Sequence, residues 1–406
     1  MAETVAIPGG RTFATPQERL PVAALLVLAM TGFTAILTET LPAGLLPKMA
    51  DGLGVSQSLA GQTVTVYAVG SLVAAIPLTL WTQGWRRKPA LLLAIAGFLI
   101  FNTITALSTS YAITLVARFL AGMAAGLGWG IVSGYARRLV IERLQGKALA
   151  IAMAGTPLAL ALGVPAGAFF GATVGWRAAF LFMSATTLAL LLWVIWKMPD
   201  FPGQPPARRL SLTGVMRTLG VRTVLTVLFL WVTGHNIVYT YITPFAALSG
   251  LNEEIDLLLL AFGLAAIAGI WFTGAFVDRL LRALVLGSLC AFCATALSLA
   301  LFATTTPIMI SAMVVWGFSF GGAATQLQTA LADAAGEGVD LANAMLTTVW
   351  NGAIAAGGLM GGILLDSHGA GSLAWAALLL ASGALIIATT ARAHAFLPGP
   401  RTHHKS

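Results

Sequence analysis

Apolar stretches without charged residues recur along the whole chain. In the first half they lie at 20–47 (apart from Glu39), 52–85, 89–117, 119–136, 148–176 and 178–196. In the second half they lie at 223–247, 257–277, 283–303, 307–328, 341–365 and 371–391. A helix needs about 20 apolar residues to cross a bilayer. The pattern therefore predicts twelve membrane-spanning helices, and the breaker Thr-Thr-Thr-Pro at 304–307 separates the ninth from the tenth.

A polar stretch at 198–222, with four prolines and four arginines, divides these helices into two sets of six. We therefore predict an all-α membrane protein in which the first apolar run is retained as an anchor. Its predicted parts are an N-terminal tail (1–19), a six-helix bundle (20–197), a linker (198–222), a second six-helix bundle (223–392) and a C-terminal tail (393–406). The long uninterrupted runs are not those of a β-barrel, whose ten-residue segments alternate apolar and polar positions.

Composition and charge agree with this prediction. Hydrophobic residues make up 58% of the chain and charged residues 9%, against about 25% charged in a soluble domain. Of the 22 Lys and Arg residues, 19 fall on one side of the predicted membrane, only Lys48 and Arg177 fall on the other, and Arg118 lies within a span. Since cytoplasmic loops carry the excess of basic residues, both tails are placed in the cytoplasm. The net charge of +8 is then a topology signal, and no nucleic-acid partner is expected.

The two halves share a short motif. The first predicted span ends in Glu39-Thr-Leu-Pro42 and the seventh in Tyr241-Ile-Thr-Pro244. The turns after spans two and eight are both short and basic. Parallel six-span repeats joined by a cytoplasmic linker are typical of transporters whose halves move around a central cavity.

Three further motifs point to a family. They are Gly274-Ala-Phe-Val-Asp278-Arg279-Leu-Leu-Arg282 after span eight, Arg118-Phe-Leu-Ala-Gly122 in span four, and Gly155 to Gly163-Val-Pro165-Ala-Gly167 in span five. With them the chain resembles the major facilitator superfamily, specifically its twelve-span drug:proton antiporter branch. The segment Thr38-Glu39-Thr-Leu-Pro42-Ala-Gly44 is similar to that of bacterial sugar-efflux, purine-ribonucleoside-efflux and chloramphenicol-resistance members. The chain departs from the family motifs at Gln83, where aspartate is usual, and at Val164, where glycine is usual.

The resemblance implies two pseudo-symmetric bundles in the bacterial cytoplasmic (inner) membrane. It also implies a monomer that needs no cofactor and exports a drug, sugar or nucleoside in exchange for protons. Asp278, Arg279 and Arg282, with Gly274, would form a gating loop that holds helices in one conformation. The alternative for this loop is that its charges only mark the cytoplasmic end of a helix.

Glu39 and Arg118 are the informative ionisable residues within the spans. Glu39 lies nine residues before Lys48, about 13 Å deep, and Arg118 lies eight residues after Ser110, about 12 Å deep. Burial favours the protonated form of a carboxyl group, while a neighbouring arginine favours the ionised form. A cavity that opens to each side in turn changes both effects. Glu39 is therefore predicted to carry a proton and Arg118 to orient it; the alternative is a static structural pair.

Polar side chains near the middle of the membrane are candidates for a substrate cavity, since such groups face a cavity or a partner helix. Span seven contributes His235, Asn236, Tyr239 and Tyr241. Weaker candidates from other spans are Gln62, Tyr67, Asn102, Trp129, Gln326, Trp350 and Asn351. A cavity of aromatic and amide groups suits a neutral or amphipathic solute. The alternative for each residue is a hydrogen bond within the helix packing.

Glycines repeat every fourth residue in two spans. Span five has Gly163, Gly167, Gly171 and Gly175 beside Pro165, and span eleven has Gly357 with Gly361 and Gly358 with Gly362. Such stripes let helix backbones approach closely. We predict packing seams here, either sliding or static.

Other chemistry is weakly indicated. Gly317-Phe-Ser319-Phe-Gly321 matches a nucleophile-elbow pattern but lies in an apolar helix without a preceding strand, so a membrane hydrolase built on Ser319 is a remote alternative to transport. Cys290 and Cys293 make neither a disulfide framework nor a zinc site. No metal is expected, and no phosphate-binding loop indicates ATP coupling. Uptake or uniport, with Glu39 structural, is the nearer alternative to export.

Overall fold

The computed structural model describes residues 4–7, 11–14, 16–82, 84–141, 144–203, 218–335, 339–397 and 399. Gln83, which departs from the family motif, and most of the predicted linker lie outside these residues. Near the N-terminus, β1 (Thr4–Ile7) and β2 (Arg11–Ala14) pair antiparallel, with Thr4 opposite Ala14. All other regular elements of the described chain are helical.

The first half of the chain forms helices α1 to α9. In order these are α1 (Val22–Gly44), α2 (Leu46–Leu53), α3 (Gln57–Thr82), α4 (Arg87–Leu107), α5 (Tyr111–Arg138), α6 (Gln145–Met153), α7 (Gly155–Leu158), a π-helical turn (Ala159–Gly163), α8 (Val164–Val174) and α9 (Trp176–Lys197). The π-helical turn ends two residues before Pro165, which lacks the N–H that would bond the carbonyl of Ala161. Gly175 ends α8 with a φ of 107°, a value suited to glycine.

The second half forms helices α10 to α16. They are α10 (Leu219–Thr240), α11 (Ile242–Ala246), a 3₁₀ turn (Ala247–Ser249), α12 (Ile255–Phe302), α13 (Thr306–Gly321), α14 (Ala323–Ala335), α15 (Val339–His368) and α16 (Gly371–Thr390). The predicted breaker at 304–307 separates α12 from α13.

Eleven helical segments of the described chain are long and apolar enough to cross a membrane. One of them, α12, has 48 residues and a non-helical residue, Leu280, in its interior. Dividing α12 at Leu280 yields twelve segments, in agreement with the predicted all-α membrane fold. The expected loop between spans eight and nine is thus a bend in a helix, with Gly274 to Arg279 helical up to the bend.

The chain divides into two compact units by its internal contacts. Unit 1 contains 1–41, 52–54 and 66–208, and unit 2 contains 42–51, 55–65 and 209–406. Helices α1 and α3 therefore contribute residues to both units. The boundaries 20–197 and 223–392, drawn from the sequence repeat, stay a prediction about the transporting halves.

The segment after α9 packs against unit 1. The Asp200 carboxylate accepts the backbone N–H of Lys88 at 3.1 Å and forms an ion pair with Arg86 at 2.5 Å. The carbonyl of Phe201 accepts the N–H of Arg87. These contacts satisfy amide groups in the first turn of α4, which has no cap from its own chain neighbour. The beginning of the linker is thereby fixed to unit 1.

Candidate functional site: a buried charge pair and an aromatic cluster

Glu39 and Arg118 lie together inside unit 1, as predicted from their depths. Glu39 is 8% exposed and Arg118 is completely buried. The Arg118 guanidinium donates to the backbone carbonyl of Thr38 at 2.6 Å and to that of Glu39 at 3.4 Å. It also acts electrostatically on the Glu39 carboxyl group. The arginine is thus fixed by the main chain of α1 while its charge reaches the acid.

Glycine on α5 explains how the arginine meets its neighbours. Gly122 follows Arg118 by one turn, and a Cβ there would collide with the backbone oxygen of Tyr67 on α3. The missing side chain therefore lets α3 approach α5 closely. Tyr67 then places its ring 4.8 Å from the Arg118 guanidinium carbon, and Phe180 lies 5.9 Å away. Both distances allow cation–π attraction in a water-poor setting.

Hydrogen bonds fix the rest of this site. Asn102 on α4 donates to the Thr38 hydroxyl at 2.9 Å, and the Tyr67 hydroxyl donates to the carbonyl of Ala35 at 2.9 Å. Asn102 and Tyr67 were predicted as cavity residues, and the structure places both beside the Glu39–Arg118 pair. The contribution of Phe180 and of the Thr38 carbonyl was not predicted. Thr38 stood within the recognised motif, but nothing in the sequence around Phe180 indicates its role.

A second site, in unit 2, is a cluster of aromatic rings around His235. The imidazole stacks on Phe320 at 3.6 Å between centroids with an interplanar angle of 2°. Tyr239 stacks at 5.1 Å, and Trp316 meets the imidazole edge to face at 5.2 Å. His235 is only 7% exposed. Four rings from two helices, α10 and α13, thus form one contiguous apolar surface.

The hydrogen bonds of this cluster fix the state of the histidine. The Trp316 indole N–H donates to Nδ1 of His235 at 3.0 Å. Because an imidazolium carries protons on both nitrogens, this bond requires the neutral ring with its proton on Nε2. The Ser319 hydroxyl donates to the carbonyl of Trp316 at 3.0 Å. Neither contact joins Ser319 to His235 as a nucleophile and its base.

Tyr241 lies in unit 2 within a cage of glycines. Its hydroxyl is fully buried, donates to the carbonyl of Gly358 at 2.7 Å and accepts the Gln62 amide at 3.1 Å. A Cβ on Gly61 or on Gly361 would collide with its ring. The predicted cavity residues Gln62 and Tyr241 are therefore joined to each other by a hydrogen bond.

The two glycine stripes of α15 serve different neighbours. A Cβ on Gly357 would collide with α10 and one on Gly361 with the ring of Tyr241, directly after α10. Cβ atoms on Gly358 and Gly362 would collide with α3 at Thr65 and Gln62. The prediction of close packing at these glycines agrees with this arrangement.

In span five the stripe faces α1. A Cβ on Gly163 would lie 2.7 Å from the Phe33 ring, and one on Gly167 would lie 2.6 Å from Leu41. Gly171 is buried on the same helix as Pro165. Gly175 is the helix cap described above and does not belong to the seam.

The remaining predicted cavity residues are placed as follows. Trp129 on α5 lies against Gly32, and Asn236 and Asn351 each donate to the carbonyl four residues earlier in their own helix. Gln326 donates to Thr273 at 3.1 Å and to Ser288 at 3.0 Å. Trp350 lies 6.3 Å from Phe320, at the border of the aromatic cluster. Trp350 and Phe320 are half-buried, so their rings form the partly exposed edge of this cluster.

The predicted gating residues lie in the middle of α12, on either side of the bend at Leu280. Gly274, Asp278 and Arg279 are exposed. Arg282 donates to the carbonyls of Ala388, Thr389 and Phe396 at 2.8–3.2 Å. It thereby satisfies carbonyl groups at the C-terminal end of α16, which lack partners within the helix.

These features define a class of protein. Apolar membrane-spanning helices that enclose an ionisable pair are typical of membrane transporters, in which such residues are costly and functional. The sequence model of the Major Facilitator Superfamily matches residues 28–340, and the chain belongs to this family. It is accordingly a multi-pass membrane transporter of a small-molecule substrate.

Similar proteins agree with this assignment. The chain is 28% identical over 360 residues to the purine ribonucleoside efflux pump NepI of Escherichia coli O127:H6 (strain E2348/69 / EPEC). The matched region covers 87% of this chain and 89% of the pump. It is 28% identical over 364 residues to the pump of the same name from Salmonella paratyphi A (strain ATCC 9150 / SARB42), with 88% and 91% covered. The structure of the human organic anion transporter MFSD10 (TETRAN) shares the fold, with a TM-score of 0.67 and 17% identity over 91% of this chain and all of that one.

Proposed function

We propose that this protein exports a small organic solute across the bacterial inner membrane in exchange for protons. Its two six-helix halves rock about the substrate, both termini are cytoplasmic, and a single copy of the chain suffices. Purine ribonucleosides are the first substrates to test, since pumps of that name are similar along most of the chain. The observation that carries the proposal is the buried Glu39 carboxyl group next to the buried Arg118.

The environment of Glu39 suits a residue that gains and loses a proton. Removal from water favours the neutral acid, while the positive charge of Arg118 favours the carboxylate. The two effects oppose each other, so a change in water access shifts the balance between the two forms. Because Arg118 also bonds main-chain oxygens of α1, its position does not depend on the charge of the acid.

The exchange follows from that balance. When the cavity faces outward, a proton from the periplasm binds the Glu39 carboxylate and favours return to the inward-facing state. There the proton leaves to the cytoplasm and the solute binds to the deprotonated protein. Outward movement of the solute completes the cycle. Each ligand shifts the equilibrium only by its different affinity for the two states.

The solute would meet the second half through its aromatic and amide groups. Trp350, at the border of the aromatic cluster, would offer a ring face directly, and the buried rings of His235 and Tyr239 would do so when the cluster opens to the cavity. Asn236, Asn351 and Gln326 would offer amides. Flat heterocycles gain from stacking on such rings. A neutral histidine with its proton on Nε2 provides a hydrogen-bond donor without a charge. These properties support a neutral, aromatic solute over a polycation or a phosphate.

Inverted membrane vesicles test the proposal. With an imposed proton gradient, vesicles containing the protein should accumulate labelled adenosine, guanosine or inosine, and uridine and glucose serve as comparison substrates. Glu39→Gln should abolish gradient-driven accumulation while it retains substrate binding. Asp51→Asn is the matched control, because Asp51 is an exposed acid at the end of α2.

The outcomes separate the alternatives. Accumulation by Glu39→Gln equal to that of the parent would refute proton coupling through this residue and favour uniport or uptake with Glu39 structural. Loss of activity in Ser319→Ala, with hydrolysis of a supplied ester by the parent, would support the membrane-hydrolase alternative instead. If no nucleoside is accumulated but a sugar or drug is exported, only the proposed substrate class would be wrong and the proposed exchange with protons would stand.

A further inference from the structure

The carbonyl that holds Arg118 lies opposite a proline in the same helix. In an α-helix the carbonyl of residue 38 accepts the N–H of residue 42. Residue 42 is proline, which has no N–H and whose ring displaces the carbonyl four residues earlier. α1 nevertheless continues through Pro42 to Gly44. The oxygen that proline leaves without a helical donor is the one that Arg118 Nη1 bonds at 2.6 Å.

We propose that Pro42 is a positioning residue for the charge pair. By withholding its N–H it leaves the Thr38 carbonyl available to Arg118, and this bond to the main chain fixes the guanidinium beside Glu39. This inference rests on the proposed function only where it links the arrangement to proton exchange. The arrangement itself can be measured on the purified protein without transport.

An alanine at position 42 would break this arrangement in a defined way. Its N–H would donate to the Thr38 carbonyl and compete with Arg118. A buried guanidinium that loses an acceptor seeks another, and the nearest charged acceptor is the Glu39 carboxylate. Among the residues that the structure describes, the titratable groups that interact with Glu39 are Arg118 on α5 and Tyr67 on α3. A closer arginine stabilises the carboxylate, so Glu39 would take up its proton only at lower pH.

Infrared difference spectroscopy measures this effect directly. The full-length protein in lipid nanodiscs is titrated while the C=O stretch of protonated carboxyl groups is recorded, and Glu39→Gln identifies the band of Glu39. In Pro42→Ala the midpoint of that band should move to lower pH by about one unit. The pH at which vesicle transport is half-maximal should move in the same direction.

Two controls separate the missing N–H from the missing ring. Incorporation of lactic acid at position 42 supplies the side chain of alanine with an ester oxygen in place of the N–H, and it should restore the parental midpoint. Pro77→Ala makes the same exchange inside α3. The carbonyl four residues earlier belongs to the exposed Val73, so this variant should leave the midpoint unchanged. Monodisperse elution of each variant confirms that it is folded.

The outcomes are distinct from those of the proposed function. If the Glu39 band titrates but its midpoint is the same in the parent and in Pro42→Ala, the positioning role is wrong and the transport proposal is untouched. A shift that persists with lactic acid also overturns it, because the ring and not the N–H would then be responsible. If no Glu39 band titrates in the parent, the proton-carrier proposal itself fails.

Discussion

The two proline-ended segments, Glu39-Thr-Leu-Pro42 in the first half and Tyr241-Ile-Thr-Pro244 in the second, occupy equivalent places in the sequence repeat but differ in structure. α1 runs on past its proline to Gly44. In the second half α10 stops at Thr240, and Tyr241 has non-helical angles of −111° and 31°. The continuous helix is the one in which the carbonyl four residues before the proline receives a guanidinium. A proline near the end of a span is therefore compatible with a continued helix, as at Pro42, and with a helix that breaks before it, as at Pro244.

The side chains at the equivalent positions differ in the chemistry they permit. Glu39 is a carboxylic acid that can gain or lose a proton, and its partner is a cation. Tyr241 is fully buried, and its hydroxyl both donates to Gly358 and accepts from Gln62. A phenol so bonded contributes hydrogen bonds but no change of charge. We infer a division of labour in which unit 1 carries the proton and unit 2 supplies neutral contacts.

Replacement of Arg118 should have the largest effect on this comparison. Arg118→Leu fills a similar volume but leaves the Thr38 carbonyl without its donor and Glu39 without its cation. Removal of one partner of a buried charged group costs about 3–5 kcal/mol. The measurement is the free energy of unfolding in detergent, followed by the loss of helical circular dichroism.

Arg86→Leu is the matched control, because Arg86 forms an ion pair with Asp200 and its side chain is 47% exposed. An exposed pair contributes about 1 kcal/mol or less. Adding Glu39→Gln should recover part of the loss in Arg118→Leu, since an amide needs no cation. Equal losses in Arg118→Leu and Arg86→Leu would mean that the buried pair is not a special feature of unit 1.

Glycine substitutions should have the next largest effect. Gly122→Leu places a side chain against the backbone of Tyr67, which cannot move without shifting α3. Overpacking of this kind costs about 1–3 kcal/mol, and the displaced tyrosine would leave Arg118. Thermal unfolding of the purified protein measures this loss of stability. Gly134→Leu on the same helix has no atom within 4 Å of its added Cβ, and a comparable loss there would contradict the close-approach explanation.

The fold was largely predictable from the sequence, because charge-free runs of about 20 residues have one stable solution in a bilayer. Counting from Lys48 and Ser110 predicted similar depths for Glu39 and Arg118; the structure brings the two residues together, while their depth in the membrane stays a prediction. The bend at Leu280 was not predictable, since a short basic segment is compatible with a loop or with a continued helix. Phe180 could not be predicted either, because an aromatic residue in an apolar run carries no mark of its neighbour.

Tyr241→Phe should have a smaller effect than either change in unit 1. The substitution removes the hydroxyl and leaves the ring in its glycine cage, so the Gly358 carbonyl and the Gln62 amide each lose a partner. The expected cost is about 1–2 kcal/mol of unfolding free energy, with proton-driven transport retained. The same vesicle assay measures transport. Complete loss of proton coupling in this variant would show that unit 2 takes part in the charge change, against the division of labour.

The smallest expected effect is that of His235→Asn on the pH dependence of transport. Asparagine places an oxygen where Nδ1 accepts the Trp316 indole N–H, so the hydrogen bond is retained while the imidazole of the aromatic cluster is removed. Substrate affinity should fall, because the imidazole ring that stacks on Phe320 is lost. The pH of half-maximal transport should be unchanged. His235→Leu provides the comparison, because it leaves the indole N–H unsatisfied at a cost of about 1 kcal/mol in stability and should also leave that pH unchanged. A movement of the midpoint in both variants would make His235 a second proton site, and the contrast between a titrating unit 1 and a neutral unit 2 would be lost.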